Sequence, residues 1–158
     1  MICYFDASAM VKLYVEENGS DLAKKCVQDS LLVATSKVAY AEVMAAFARA
    51  WREETLGQRE YKEAVANFKE DWPAFFALDV SDAVLQRVDD VIERYNLRGF
   101  DALHLASALV LSRRNEGEEI WAACWDSRLW DSFRQEGFLL IPKIRPGARR
   151  DIPLFKLT

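Results

Sequence analysis

The chain has 158 residues, of which 51% are hydrophobic and 29% charged; this fits one soluble globular domain with a full core. Its net charge of −4 and pI of about 5.1 argue against tight nonspecific binding to nucleic acid by bulk phosphate neutralisation, though not against a nucleic-acid enzyme. Gly and Pro are scarce, and no low-complexity segment or apolar run of membrane-spanning length occurs.

Residues 2–5 are a short apolar run that predicts a buried strand ending at Asp6. Residues 8–16 carry Met10, Leu13 and Tyr14 at helical spacing, and Asn18-Gly19 breaks the pattern. Ser20 is placed to cap a helix to about residue 29, and residues 31–34 predict a second strand. Thr35-Ser36 caps a long, mostly buried helix to about residue 54, closed by Thr55-Leu56-Gly57. A helix over residues 58–72 is stopped by Pro73, and residues 75–80 predict a third strand. Ser81 caps a helix to about residue 95, and Phe100 opens an Ala- and Leu-rich helix to about residue 114. Residues 120–125 predict a fourth strand, residues 127–136 a helix with Gly137 as its C-terminal cap, and residues 138–141 a fifth strand.

Strands alternating with helices predict a single-domain α/β fold, a parallel, doubly wound sheet of about five short strands flanked by helices. The domain is expected over residues 1–142, with residues 143–158 an extended tail packed on or near it. The N-terminus lacks the basic and long apolar regions of a signal peptide. The three cysteines have no metal-ligand spacing, and Cys3 and Cys124 read as buried free thiols. A reducing cytoplasm, with no membrane association, is the expected setting.

Four acids stand in or beside apolar stretches: Asp6, Glu42, Asp101 and Asp126. Each has a plain structural explanation. Asp6 and Asp126 are good helix N-caps, Asp101 suits a first helical turn, and Glu42 fills one solvated position of an amphipathic helix. Asp6 and Asp126 also follow strands directly. In open α/β sheets that position faces the crevice beyond the strands' carboxyl ends, where ligands bind.

The order and context of these acids resemble the PIN domains, and among them the VapC-like toxin ribonucleases of type II toxin–antitoxin systems. The resemblance is carried by Phe5-Asp6-Ala7-Ser8-Ala9-Met10-Val11-Lys12-Leu13 and by the helix around Glu42, with Arg49 after it. Asp101-Ala102-Leu103-His104-Leu105-Ala106 adds to it, as does Trp125-Asp126 followed by Leu129 and Gly137-Phe138. It implies a PIN-like parallel sheet, an Mg²⁺ or Mn²⁺ site and endonucleolytic cleavage of RNA. It also implies that Asp6, Glu42, Asp101 and Asp126 are the catalytic, metal-holding acids, with Ser8 supporting them. A homodimer held inactive by a cognate antitoxin is implied as well. Trp125 departs from the pattern, since a smaller residue usually precedes the last acid, and it would narrow the site mouth.

Phosphodiester hydrolysis needs an activated water and shielding of charge on phosphate and leaving group, which divalent cations supply. Two carboxylates about 5 Å apart repel by roughly 3 kcal/mol at an effective dielectric near 20. Four in one pocket therefore call for a cation or for protons. Asp6 and Asp101 are expected as direct ligands, with Glu42 and Asp126 completing the site or positioning water. Arg49, Arg52 and Arg128 are candidate RNA-phosphate contacts, and Lys143, Arg145, Arg149 and Arg150 form a basic group suited to RNA or a partner. His104, the only histidine, reads more readily as a hydrogen-bonded packing residue than as a general base. Two other classes stay open. An aspartyl-phosphate phosphatase wants a second acid where Ser8 stands. A non-catalytic RNA- or protein-binding module has no need of an acidic cluster.

Overall fold

The structure, a computed structural model, describes residues 1–147. Strand β1 (Ile2–Phe5) is the centre of the molecule. Successive residues of a strand point to opposite faces, so Cys3 and Phe5 enter one core and Tyr4 the other. Both cores are apolar, which is why β1 reads as a continuous hydrophobic run. The other strands are β2 (Leu32–Ser36), β3 (Phe76–Leu78), β4 (Ile120–Ala123) and β5 (Leu139–Ile141). All pairings are parallel, in the order β3-β2-β1-β4-β5.

The helices are α1 (Ala7–Val11), α2 (Ser20–Asp29), α3 (Val38–Arg52), α4 (Gln58–Asp71), α5 (Asp82–Arg94), α6 (Gly99–Arg114) and α7 (Ser127–Gln135), with a 3-10 turn at Trp72–Ala74. Met10, Cys26, Val43, Phe47 and Phe68 of α1 to α4 pack on the Cys3 and Phe5 face. Leu105, Leu111, Leu129 and Phe133 of α6 and α7 pack on the Tyr4 face. The sheet is thus doubly wound, as its sequence predicts. The chain runs outward from β1 through β2 to β3, then crosses to the opposite flank of β1 for β4 and β5. Strand order reverses between β1 and β4, and the crevice opens at their carboxyl ends.

Several boundaries differ from expectation for visible reasons. Helix α1 stops at Val11 rather than residue 16. Leu13 and Tyr14 bond back three residues, to Met10 and Val11, and Lys12 Nζ binds Glu17 Oε1 and the Asn18 carbonyl, each at 2.8 Å. These bonds fold the segment into a loop. Ser20 does not cap α2. Gly19 does, at φ +94°, while Ser20 Oγ accepts from Glu17 N and donates to the Val15 carbonyl. Thr35 and Ser36 complete β2 instead of capping α3, because Thr35 Oγ1 finds the Phe5 carbonyl at 2.7 Å. Strand β4 ends at Ala123, before Trp125.

Cys26 Sγ lies 3.0 Å from Cys3 Sγ, and all three cysteines are free and buried. Trp130 Nε1 donates to the Pro142 carbonyl, and Arg145 grips Asp131 through two bonds of 2.8 Å. Of the expected tail, residues 148–158, with Arg149 and Arg150, lie outside the described residues. No described helix is long and apolar enough to cross a membrane.

Candidate active site

Asp6 leaves the end of β1 and is almost wholly buried. It caps α1, accepting from Ala9 N at 2.9 Å. Its oxygens also receive the Ser8 hydroxyl at 2.7 and 2.8 Å and the Cys124 thiol at 3.4 Å. Burial raises its pKa above the usual carboxylate range, and nearby His104 and these three donors pull in the opposite direction. Ser8 Oγ in turn accepts from Trp125 N at 2.8 Å, joining the exits of β1 and β4.

Asp126 sits just past β4 and caps α7, with Leu129 N donating to Oδ1 at 2.9 Å. Asp101 stands in the first turn of α6. Burial first, and then the charges of Asp126, Asp6 and Glu42, push its carboxyl up to about 6, with only His104 opposing. Glu42, on α3, is half-buried, and its Oε1 lies 2.7 Å from His104 Nε2. Four acids from four elements therefore share one electrostatic neighbourhood. The plain explanations given above for Asp6 and Asp126 also hold, since both are caps.

The donor set, four carboxylates, suits a hard divalent cation. The rotamers do not form a finished cage. Among the described residues no three His, Cys, Asp or Glu side chains make a ready metal nest. Asp6 is engaged by Ser8 and Ala9, Asp126 by Leu129 and Glu42 by His104. The mutual repulsion felt at Asp101 is the part of the arrangement that a cation would relieve.

Beside the carboxylates runs a groove of about 500 Å³ with small, apolar walls. Ala7, Ser8, Glu42, Ala45, Arg49 and the exposed Phe100 line it. Arg49 thus lines the groove. Arg52 does not, since it lines a separate hollow with Trp51 and Leu56. Arg128 lines a third hollow, with Arg94 and Gln135. Trp125 does not line the groove either. Its indole stacks under Lys12 Nζ, 5.2 Å from the ring centre, and a Cβ at Gly19 would come within 2.6 Å of its Nε1. The large residue before Asp126 is accommodated by a glycine across the loop.

Two partners escape the sequence. Cys124 Sγ reaches Asp6 from β4's exit, and His104 reaches Glu42 across 62 residues of chain. Buried and bonded at both nitrogens, His104 matches the packing assignment better than that of a solvent-facing base.

A PIN domain family model matches residues 3–114. The chain belongs to the PIN domain family. Ribonuclease VapC45 of Mycobacterium tuberculosis is 35% identical over 141 residues, covering 89% of this chain and 95% of that protein. Among solved structures, the fold is similar to Mycobacterium tuberculosis VapC20, a sarcin–ricin loop cleaving toxin, with TM-score 0.61 and 18% identity over 91% of this chain and 99% of that one. A toxin–antitoxin complex from Klebsiella pneumoniae gives TM-score 0.59 and 17% identity, covering 81% of this chain and 89% of that one. This PIN domain shares its sheet with both.

Proposed function

We propose that this protein is an endoribonuclease that hydrolyses RNA phosphodiester bonds with Mg²⁺ or Mn²⁺, and that it is the toxin of a toxin–antitoxin pair. The observation that carries the reading is Asp101, a carboxyl raised to about 6 by burial and by Asp126, Asp6 and Glu42 together. Like charges are gathered in this way where a cation is to be held. The close VapC ribonuclease relative supports RNA as the substrate.

Asp6 and Asp101 would hold the cation, with Glu42 and Asp126 completing its surroundings. When bound there, a divalent cation would neutralise charge at the phosphate and lower the pKa of water. The chain's own residues do the rest. Ser8 and Ala9 N orient the Asp6 carboxylate, whose oxygens keep further lone pairs to offer. Helices α6 and α7 open beside Asp101 and Asp126, and their amide ends favour an incoming phosphate. Arg49, exposed at the groove rim, is suited to a neighbouring phosphate of the RNA. A cognate antitoxin as partner, a homodimer and a cytoplasmic setting complete the proposal.

Purified protein incubated with total RNA tests the reading. Discrete new 5′ ends should appear with Mg²⁺ or Mn²⁺ and vanish with EDTA. RNA left intact under both cations would reduce the protein to a binding module. Size measurement in solution tests the dimer.

A further inference from the structure

We propose that His104 is a positioning residue: the buried Tyr4 hydroxyl anchors one end of its ring, and the other end clamps Glu42 at the crevice. This rests on the nuclease reading above.

Three side chains from three elements form one buried line. The Tyr4 hydroxyl, on β1, stands 2.8 Å from His104 Nδ1, on α6, and His104 Nε2 stands 2.7 Å from Glu42 Oε1, on α3. Tyr4 has no exposed surface and His104 almost none. Their rings meet edge to face, with centres 5.9 Å apart.

Hydrogen-bond bookkeeping assigns the hydrogen at the Glu42 end. A carboxylate only accepts, so the hydrogen between His104 and Glu42 belongs to Nε2. At the other end the Tyr4 hydroxyl can donate to a bare Nδ1 or accept from a protonated one, so the anchor holds in either state of the ring. With Oε1 held, Glu42 presents Oε2 in one place. Supporting bonds of this kind to metal-binding carboxylates typically carry about 10- to 100-fold in metal affinity.

His104 is the only histidine, so a long-range ¹H–¹⁵N spectrum of the labelled, metal-free protein contains one imidazole. The expected spectrum has a hydrogen on Nε2, the nitrogen that faces Glu42. Tyr4→Phe keeps the buried ring but removes its hydroxyl anchor, and should move the Nδ1 resonance. An Nε2 without a hydrogen in the unaltered protein, or an Nδ1 resonance unmoved in Tyr4→Phe, overturns the proposal.

Mn²⁺ titration supplies the functional half. His104→Ala should weaken Mn²⁺ binding about 10-fold or more and lower kcat for RNA without raising KM. His104→Gln, whose amide nitrogen reaches the place of Nε2, should restore most of both. Equal Mn²⁺ affinity in all three proteins overturns the clamp. If His104→Ala does not fold, Tyr4→Phe and His104→Gln decide the matter. If the unaltered protein binds no Mn²⁺ and cuts no RNA, the nuclease reading fails, while the spectrum still reports separately on the line from Tyr4 through His104 to Glu42.

Discussion

At the scale of single residues, Asp6 and Asp126 each have a structural role beside the proposed catalytic one. Both carboxylates cap a helix. Asparagine caps nearly as well as aspartate, so the two roles can be separated. Asp6→Asn and Asp126→Asn should keep the melting temperature close to that of the unaltered protein while RNA cleavage is lost. Asp126→Ala should lose cleavage and also about 1 kcal/mol of stability, read from denaturant unfolding. An Asn variant that cuts RNA at full rate would remove that acid from the chemistry. Residue identity and apolar context made these four acids visible in sequence. Their company was not: His104 meets Glu42 only because α3 and α6 pack around β1, and local spacing carries no trace of that contact.

At the scale of elements, the alternation of short apolar runs with amphipathic segments was enough to predict all five strands and their flanking helices. The errors fall at the ends, where tertiary bonds override local preference. Thr35 looks like a cap and is a strand residue because the Phe5 carbonyl lies across from it. Helix α1 is expected to run to residue 16 and is cut short by Lys12's bonds to the loop. That loop depends on Gly19. Its φ of +94° is left-handed, and a side chain there would strike the Trp125 indole. Gly19→Ala should destabilise the protein by about 1–3 kcal/mol from backbone strain, with an added steric penalty. Adding Trp125→Ala should relieve the steric part alone, so the double variant is less impaired than the sum of the singles. Strict additivity in chemical denaturation would refute the contact.

At the scale of the whole molecule, the buried acids couple protonation to stability. Asp101 titrates near 6 in the folded protein against a usual 3.8, and Asp6 is raised as well. The folded state thus holds protons that the unfolded chain has released. Metal-free protein should lose stability as pH rises from 3.8 through about 6, and level off above. A bound cation competes with those protons, so the stabilisation by Mn²⁺ should grow across the same interval. Melting curves in EDTA and in Mn²⁺ over a pH series check both trends. Asp101→Asn should flatten the EDTA profile, and a profile identical to that of the unaltered protein would contradict the assignment.

The oxygen of Ser8 has a consequence for how new specificity can arise. It lies between Asp6 and the backbone of Trp125, so one atom pins the mouths of two adjoining strands. That join is made by the protein's own atoms and so owes nothing to whatever enters. If the groove takes RNA, discrimination between transcripts is expected at its rim, where Phe100 and Arg49 stand open to solvent.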